Sequence, residues 1–107
     1  MNKFDTAFNN ELVADTFMDA VLSNLCGVVS RIYKKGTTPE TREEQIAFIY
    51  LNSNLSIAHL IDCLNKEDVL TDAGWGLDDK GIGFDSQDLE DGYNRAIAEV
   101  KAMFAAA

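Results

Sequence analysis

Cysteine, cations and long apolar runs are all scarce in this chain, and each scarcity closes off a class of protein. Only two of the 107 residues are cysteine, Cys26 and Cys63, and they form no CxxC pair. A secreted scaffold stapled by disulfides is therefore excluded. The opening stretch MNKFDTAFNNELVADTF contains acids and no apolar core, so no signal peptide is read there. Nowhere do eighteen apolar residues follow one another, and no membrane span is expected. Lys and Arg together number nine against eighteen Asp and Glu. That balance repels nucleic acid and anionic membrane, so neither is expected as a direct partner.

What is present is the material of a folded domain. Apolar residues make up 47% and charged residues 25%, the proportions of a globular, water-soluble protein rather than a disordered tail. The length suits one domain over residues 1–107 with a core of its own. Reduced cysteines and the missing targeting signal lead to a cytoplasmic expectation.

The periodicity is helical. From Leu12 to Tyr33 one apolar line runs through Val13, Phe17, Val21, Leu25, Val28 and Ile32, and a second through Leu12, Met18, Leu22, Cys26, Val29 and Tyr33. Together they are wider than one neighbour needs. The excess is expected either to form a homodimer seam or to lie under the segment that holds Trp75. Gly36 is the expected C-terminal cap. A second helix is expected from about residue 42 to about Leu64, capped by Thr38 or by Thr41 with Glu44, and kinked at Asn52-Ser53-Asn54. The glycine-rich stretch AGWGLDDKGIGF predicts a small β-hairpin, Trp75–Leu77 against Ile82–Phe84, turning through Asp78 to Gly81. A third helix opens at Asp85 or Ser86, with Leu89, Tyr93, Ala96, Ile97, Val100, Met103 and Phe104 inward, and the terminal alanines are expected to fray. The expected fold is thus all-α in the main: a three-helix bundle with a long antiparallel helical hairpin and a Gly-rich loop or small hairpin before the third helix.

Charge is unevenly placed. Ten acids lie between Asp62 and Asp91 against two bases, Lys66 and Lys80, so this stretch carries -8 of the formal -9. Asp85, Asp88, Glu90 and Asp91 suit a helix N-terminus, and Asp78 and Asp79 suit a turn. Asp62, Glu67, Asp68 and Asp72 have no local role of that kind. A line of carboxylates at this density resembles the phosphate track of duplex DNA, charged about every 1.7 Å. Trp75 between Gly74 and Gly76 is either a plug for the helices or a binding anchor. The candidate partner-binding residues are Asp62, Glu67, Asp68, Asp72, Trp75, Asp78, Asp79, Asp85 and Asp88.

Other motifs fail on chemistry. A calcium loop begun at Asp78 puts Lys80, Ile82 and Leu89 where oxygen ligands are required. Lys80-Gly81-Ile82 is the wrong order for a phosphate loop. His59 and Cys63 share a helical face four residues apart, but two ligands do not make a zinc site. No cofactor or metal is expected. Cys26 and Cys63 should remain unbridged, because in an antiparallel hairpin Cys26 lies opposite Ala47 or Phe48.

In size, acidity and lack of a catalytic motif the chain is similar to small acidic inhibitors such as anti-CRISPR proteins, DNA mimics and immunity proteins. The resemblance implies a non-enzymatic protein that binds a basic partner stoichiometrically, for example a nuclease or another nucleic-acid-binding effector. The competing readings are a small ligand-binding or catalytic domain using His59 and Cys63, and a structural helical homodimer.

Overall fold

The double apolar line of the first helix determines the architecture. The computed structural model describes residues 11–34, 36, 39–52 and 56–105. Among them regular structure is entirely helical, in five pieces: α1 Glu11–Tyr33, α2 Arg42–Asn52, α3 Ile57–Asp62, α4 Lys66–Asp79 and α5 Ser86–Ala105. The all-α expectation holds, and the three-helix count does not. All four later helices pack against α1, so both of its apolar lines are covered except at their ends, where Leu12 and Ile32 are exposed. Phe17, Val21, Leu22, Leu25 and Val29 have no exposed surface, each worth roughly 1.5–3 kcal/mol by area. Of the two fates expected for the surplus, burial beneath the segment holding Trp75 is what α4 provides.

By length and composition α1 could also cross a membrane, although Asp15, Asp19 and Arg31 interrupt its apolar run. In this fold that apolarity goes into packing, with eleven of the 23 residues buried. The helix ends on Lys34, whose φ of 55° is left-handed. The cap therefore falls two residues before the expected Gly36.

The long antiparallel hairpin is not formed. Arg42 at the start of α2 pairs with Asp15 at 3.0 Å and with Asp19. A tight turn centred near residue 37 would set Arg42 beside Tyr33, about 21 Å of helix from Asp19. No arginine spans that distance, so α2 begins beside the first half of α1 rather than beside its end. Thr41 provides the cap, accepting from the Glu44 amide at 3.2 Å; the alternative cap, Thr38, lies outside the described residues. The second helix divides where the Asn-Ser-Asn sequence suggested a kink: α2 ends at Asn52, whose side-chain amide donates to the Phe48 carbonyl. A new helix starts after Ser56, which accepts from the His59 amide at 3.3 Å. Residues 53 and 54 themselves, like the opening residues 1–10 and the final two alanines, lie outside the described set.

The β-hairpin is replaced by α4. Asn65 caps it, accepting from the Glu67 and Asp68 amides at 3.1 and 3.4 Å, and Val69, Ala73 and Leu77 are its buried line. The glycines that argued for a turn serve close packing instead. A methyl group at Gly76 would meet Thr16 Cγ2 on α1 at 2.7 Å, and one at Gly74 would meet the Phe84 ring at 3.3 Å. Gly81 is left-handed (φ 72°), as expected, but it ends a helix rather than turning a hairpin. The Gly81 amide donates to the Asp78 carbonyl at 3.0 Å and the Ile82 amide to the Leu77 carbonyl at 2.9 Å, the Schellman pattern. Leu77 and Ile82, read as facing strands, are the apolar pair that such caps carry.

The last helix begins where expected. Asp85 and Asp88 cap each other reciprocally, side chain to amide, at 2.9 and 3.0 Å. Ala96 and Val100 are buried, while Leu89, Tyr93, Ile97 and Phe104 are half-buried against the core.

Candidate interaction surface

Helical geometry sorts the nine candidate residues into different settings. On α4 the buried line of Val69, Ala73 and Leu77 leaves the opposite side to Asp68, Asp72, Trp75 and Asp79, spaced four, three and four apart and all exposed. The neighbours of Trp75 one turn either way are Thr71, Asp72, Asp78 and Asp79. The indole is 69% exposed, so Trp75 is not the plug that would close the helices. It stands on the outer face of α4 with carboxylates before and after it.

Several of the acids have structural duties there. Glu67 and Asp68 occupy the first turn of α4, where the helix dipole favours them. Asp72 accepts a hydrogen bond from the Asn24 amide at 2.9 Å, tying α4 to α1. Asp85 and Asp88 are consumed by the cap of α5. Glu90 pairs with Lys66 at 2.7 Å, and the same ammonium lies 5.2 Å from the Tyr93 ring centre. The bond to Glu90 raises the Lys66 pKa, and burial raises that of the Tyr93 phenol. Asp68 and Asp72 are both helical, and so are Asp78 and Asp79, contrary to the turn expected of them.

Three acids have no such duty. Asp78 and Asp79 lie in the last turn of α4 and Asp62 ends α3. A carboxylate near a helix C-terminus faces the negative end of the dipole and is disfavoured. None of the three takes part in an ion pair among the described residues. Asp78 and Asp79 adjoin Trp75, whereas Asp62 belongs to another element, packed toward α5 and α1.

Beside this face lies a groove of about 450 Å³ between α4 and the start of α5, with Trp75, Leu70, Phe84 and Leu89 as its apolar lining and Glu67, Asp78 and Glu90 as its acids. Gly74 lets the Phe84 ring come up against α4. Sequence reasoning missed Phe84 and Leu70 as part of a surface, because it placed the first in a strand and ended the second helix before the other. The Asn65 cap, the acids after it and the Val69, Ala73, Leu77 spacing were the available signal.

The other candidates are dispersed. His59, Asp62 and Cys63 are all exposed on or beside the six-residue α3, with the Cys63 amide bonded to the His59 carbonyl at 3.2 Å. Among the described residues no group of three or more His, Cys, Asp or Glu side chains could hold a metal ion. Both cysteines are free. Cys26 is buried, its thiol 3.7 Å from the Gln45 carbonyl and two residues from the expected Ala47, and burial pushes its pKa up to about 11. Compared with known protein families, curated proteins and solved structures, the chain matches none.

Proposed function

We propose that this is a non-enzymatic interaction protein that binds a basic partner stoichiometrically through the outer face of α4, in the manner of an inhibitor that occupies a nucleic-acid track. One observation carries the reading. The chain's single tryptophan is left exposed beside Asp78 and Asp79, two carboxylates placed where the helix dipole opposes them. Large aromatic side chains are enriched at interface hot spots, and a concentrated negative field steers cationic partners. Affinity capture from a native extract, repeated at low and high salt and with duplex DNA as competitor, tests it. A basic nucleic-acid-binding protein held at low salt and displaced by DNA supports the proposal. Captured proteins indifferent to salt, to DNA and to neutralising Asp78 and Asp79 overturn it.

A structural homodimer is the second reading, favoured by a different surface. Between α2 and the end of α5 lies an apolar groove lined by Ile46, Ala47, Tyr50, Leu51, Met103 and Phe104. Leu51 is 76% exposed there. Sedimentation decides it: a dimer that Leu51→Glu converts to monomer supports this reading, and a monomeric wild type removes it.

A further inference from the structure

The acids around the α4–α5 groove are not equivalent, and the difference points to the side chain that fits it. Glu90 is already neutralised by Lys66 at 2.7 Å. Glu67 and Asp78 line the same groove without an ion pair among the described residues. Trp75, Leu70, Phe84 and Leu89 supply the apolar and aromatic part of the lining, with Thr71 and Ser86 also present. The site therefore has an apolar and aromatic wall, an open indole and two carboxylates without an ion pair among the described residues. At about 450 Å³ it lies toward the small end of ligand sites, with room for a side chain and its neighbours rather than a helix.

Charge complementarity calls for a cation, and the aromatic lining discriminates between cations. A lysine ammonium is compact and strongly hydrated, and stripping its water in an apolar groove is costly. A guanidinium is planar and weakly hydrated, stacks on an indole, and presents paired donors that match a carboxylate. Its methylene stem can lie along apolar surface while the head meets the acids. We infer that the groove between α4 and the start of α5 takes an arginine side chain of the partner protein, with Trp75 as the stacking surface and Glu67 and Asp78 as the acceptors. This inference rests on the proposed acidic-face function and names what that face recognises.

Trp75 is the chain's one tryptophan, so its fluorescence reports this groove alone. The probes are three blocked pentapeptides of the form Gly-X-Ala-X-Gly, with X as arginine, lysine or citrulline, titrated into the full chain at low salt. The arginine peptide should change Trp75 emission and bind about five- to tenfold more tightly than the lysine peptide of equal charge, with citrulline weakest. Glu67→Gln combined with Asp78→Asn should abolish that preference, whereas Asp62→Asn, on a different helix, should leave it intact. Trp75→Ala, followed by calorimetry, should lower arginine-peptide affinity several-fold with an unchanged far-ultraviolet dichroism spectrum. Equal, salt-sensitive binding of both cationic peptides with silent Trp75 fluorescence overturns the groove assignment and leaves the acidic-face reading standing. Absence of binding by either peptide also overturns the groove, while the capture experiment, which needs no peptide, judges the broader reading separately.

Discussion

At the scale of single residues, glycines and cysteines make the sharpest distinctions. A methyl group at Gly92 would come within 2.2–2.6 Å of the Phe17 ring, which is fully buried. Gly92→Ala should therefore destabilise by about 1–3 kcal/mol despite the better helix propensity of alanine. At Gly27, within α1, a methyl group meets nothing within 4 Å, so Gly27→Ala should stabilise by about 0.5–1 kcal/mol. Urea unfolding of both variants checks the opposite signs. The cysteines divide in the same way. Iodoacetamide should label exposed Cys63 in the native protein and reach buried Cys26 only on unfolding, which mass spectrometry reads directly. Burial pushes the Cys26 thiol pKa up to about 11 in the folded protein, above its ordinary value. Stability fully present below pH 9 should then be lost as pH rises toward 11, at up to about 1.4 kcal/mol per unit. Cys26→Ala should remove that portion of the alkaline slope.

At the scale of elements, helix ends explain most of what the sequence concealed. Lys34 holds a left-handed φ of 55°, a conformation that costs a non-glycine residue about 1–2 kcal/mol. Lys34→Gly should raise stability by up to about 1 kcal/mol, seen as a higher urea midpoint with an unchanged slope. At the end of α4, Asp78→Asn with Asp79→Asn should add about 0.3–1 kcal/mol per site by relieving the clash with the dipole, while weakening partner binding. The first and last helices were legible because their apolar spacing was uninterrupted, and the last also opens on a conventional cap at Asp85 and Asp88. α4 was not, because Gly74, Gly76 and Gly81 outweighed a sound buried line in Val69, Ala73 and Leu77. Propensity takes no account of a neighbouring helix: Gly76 is there for Thr16 on α1, which no local window contains. The same limit governed the surface. Its acids were visible in the sequence, but only the turn of α4 showed which flank Trp75 and which serve as caps. The path from α1 to α2 was hidden for a related reason, since the Arg42 pairs with Asp15 and Asp19 lie 27 and 23 positions apart in sequence.

At the scale of the molecule, nine excess negative charges on 107 residues make like-charge repulsion a standing cost. Ion pairs such as those at Asp15, Asp19 and Glu90 offset little of it, because half-exposed pairs are each worth about 0–1 kcal/mol. Screening by added salt should therefore stabilise the fold, by roughly half a kcal/mol or about 2–4 °C between 20 and 300 mM sodium chloride. Differential scanning calorimetry checks it, and a melting temperature that falls with salt would mean that specific pairs dominate the field. The dependence of every helix on α1 bears on biogenesis too. That helix leaves the ribosome before any of the helices that later cover it. Until α4 and α5 have been made, the part of its apolar surface that they cover has no intramolecular occupant, and that is the surface on which holding chaperones and aggregation compete. Yield of soluble protein in the cell should therefore depend on the speed of translation through the stretch that encodes α4 and α5, a property that equilibrium stability alone would not disclose.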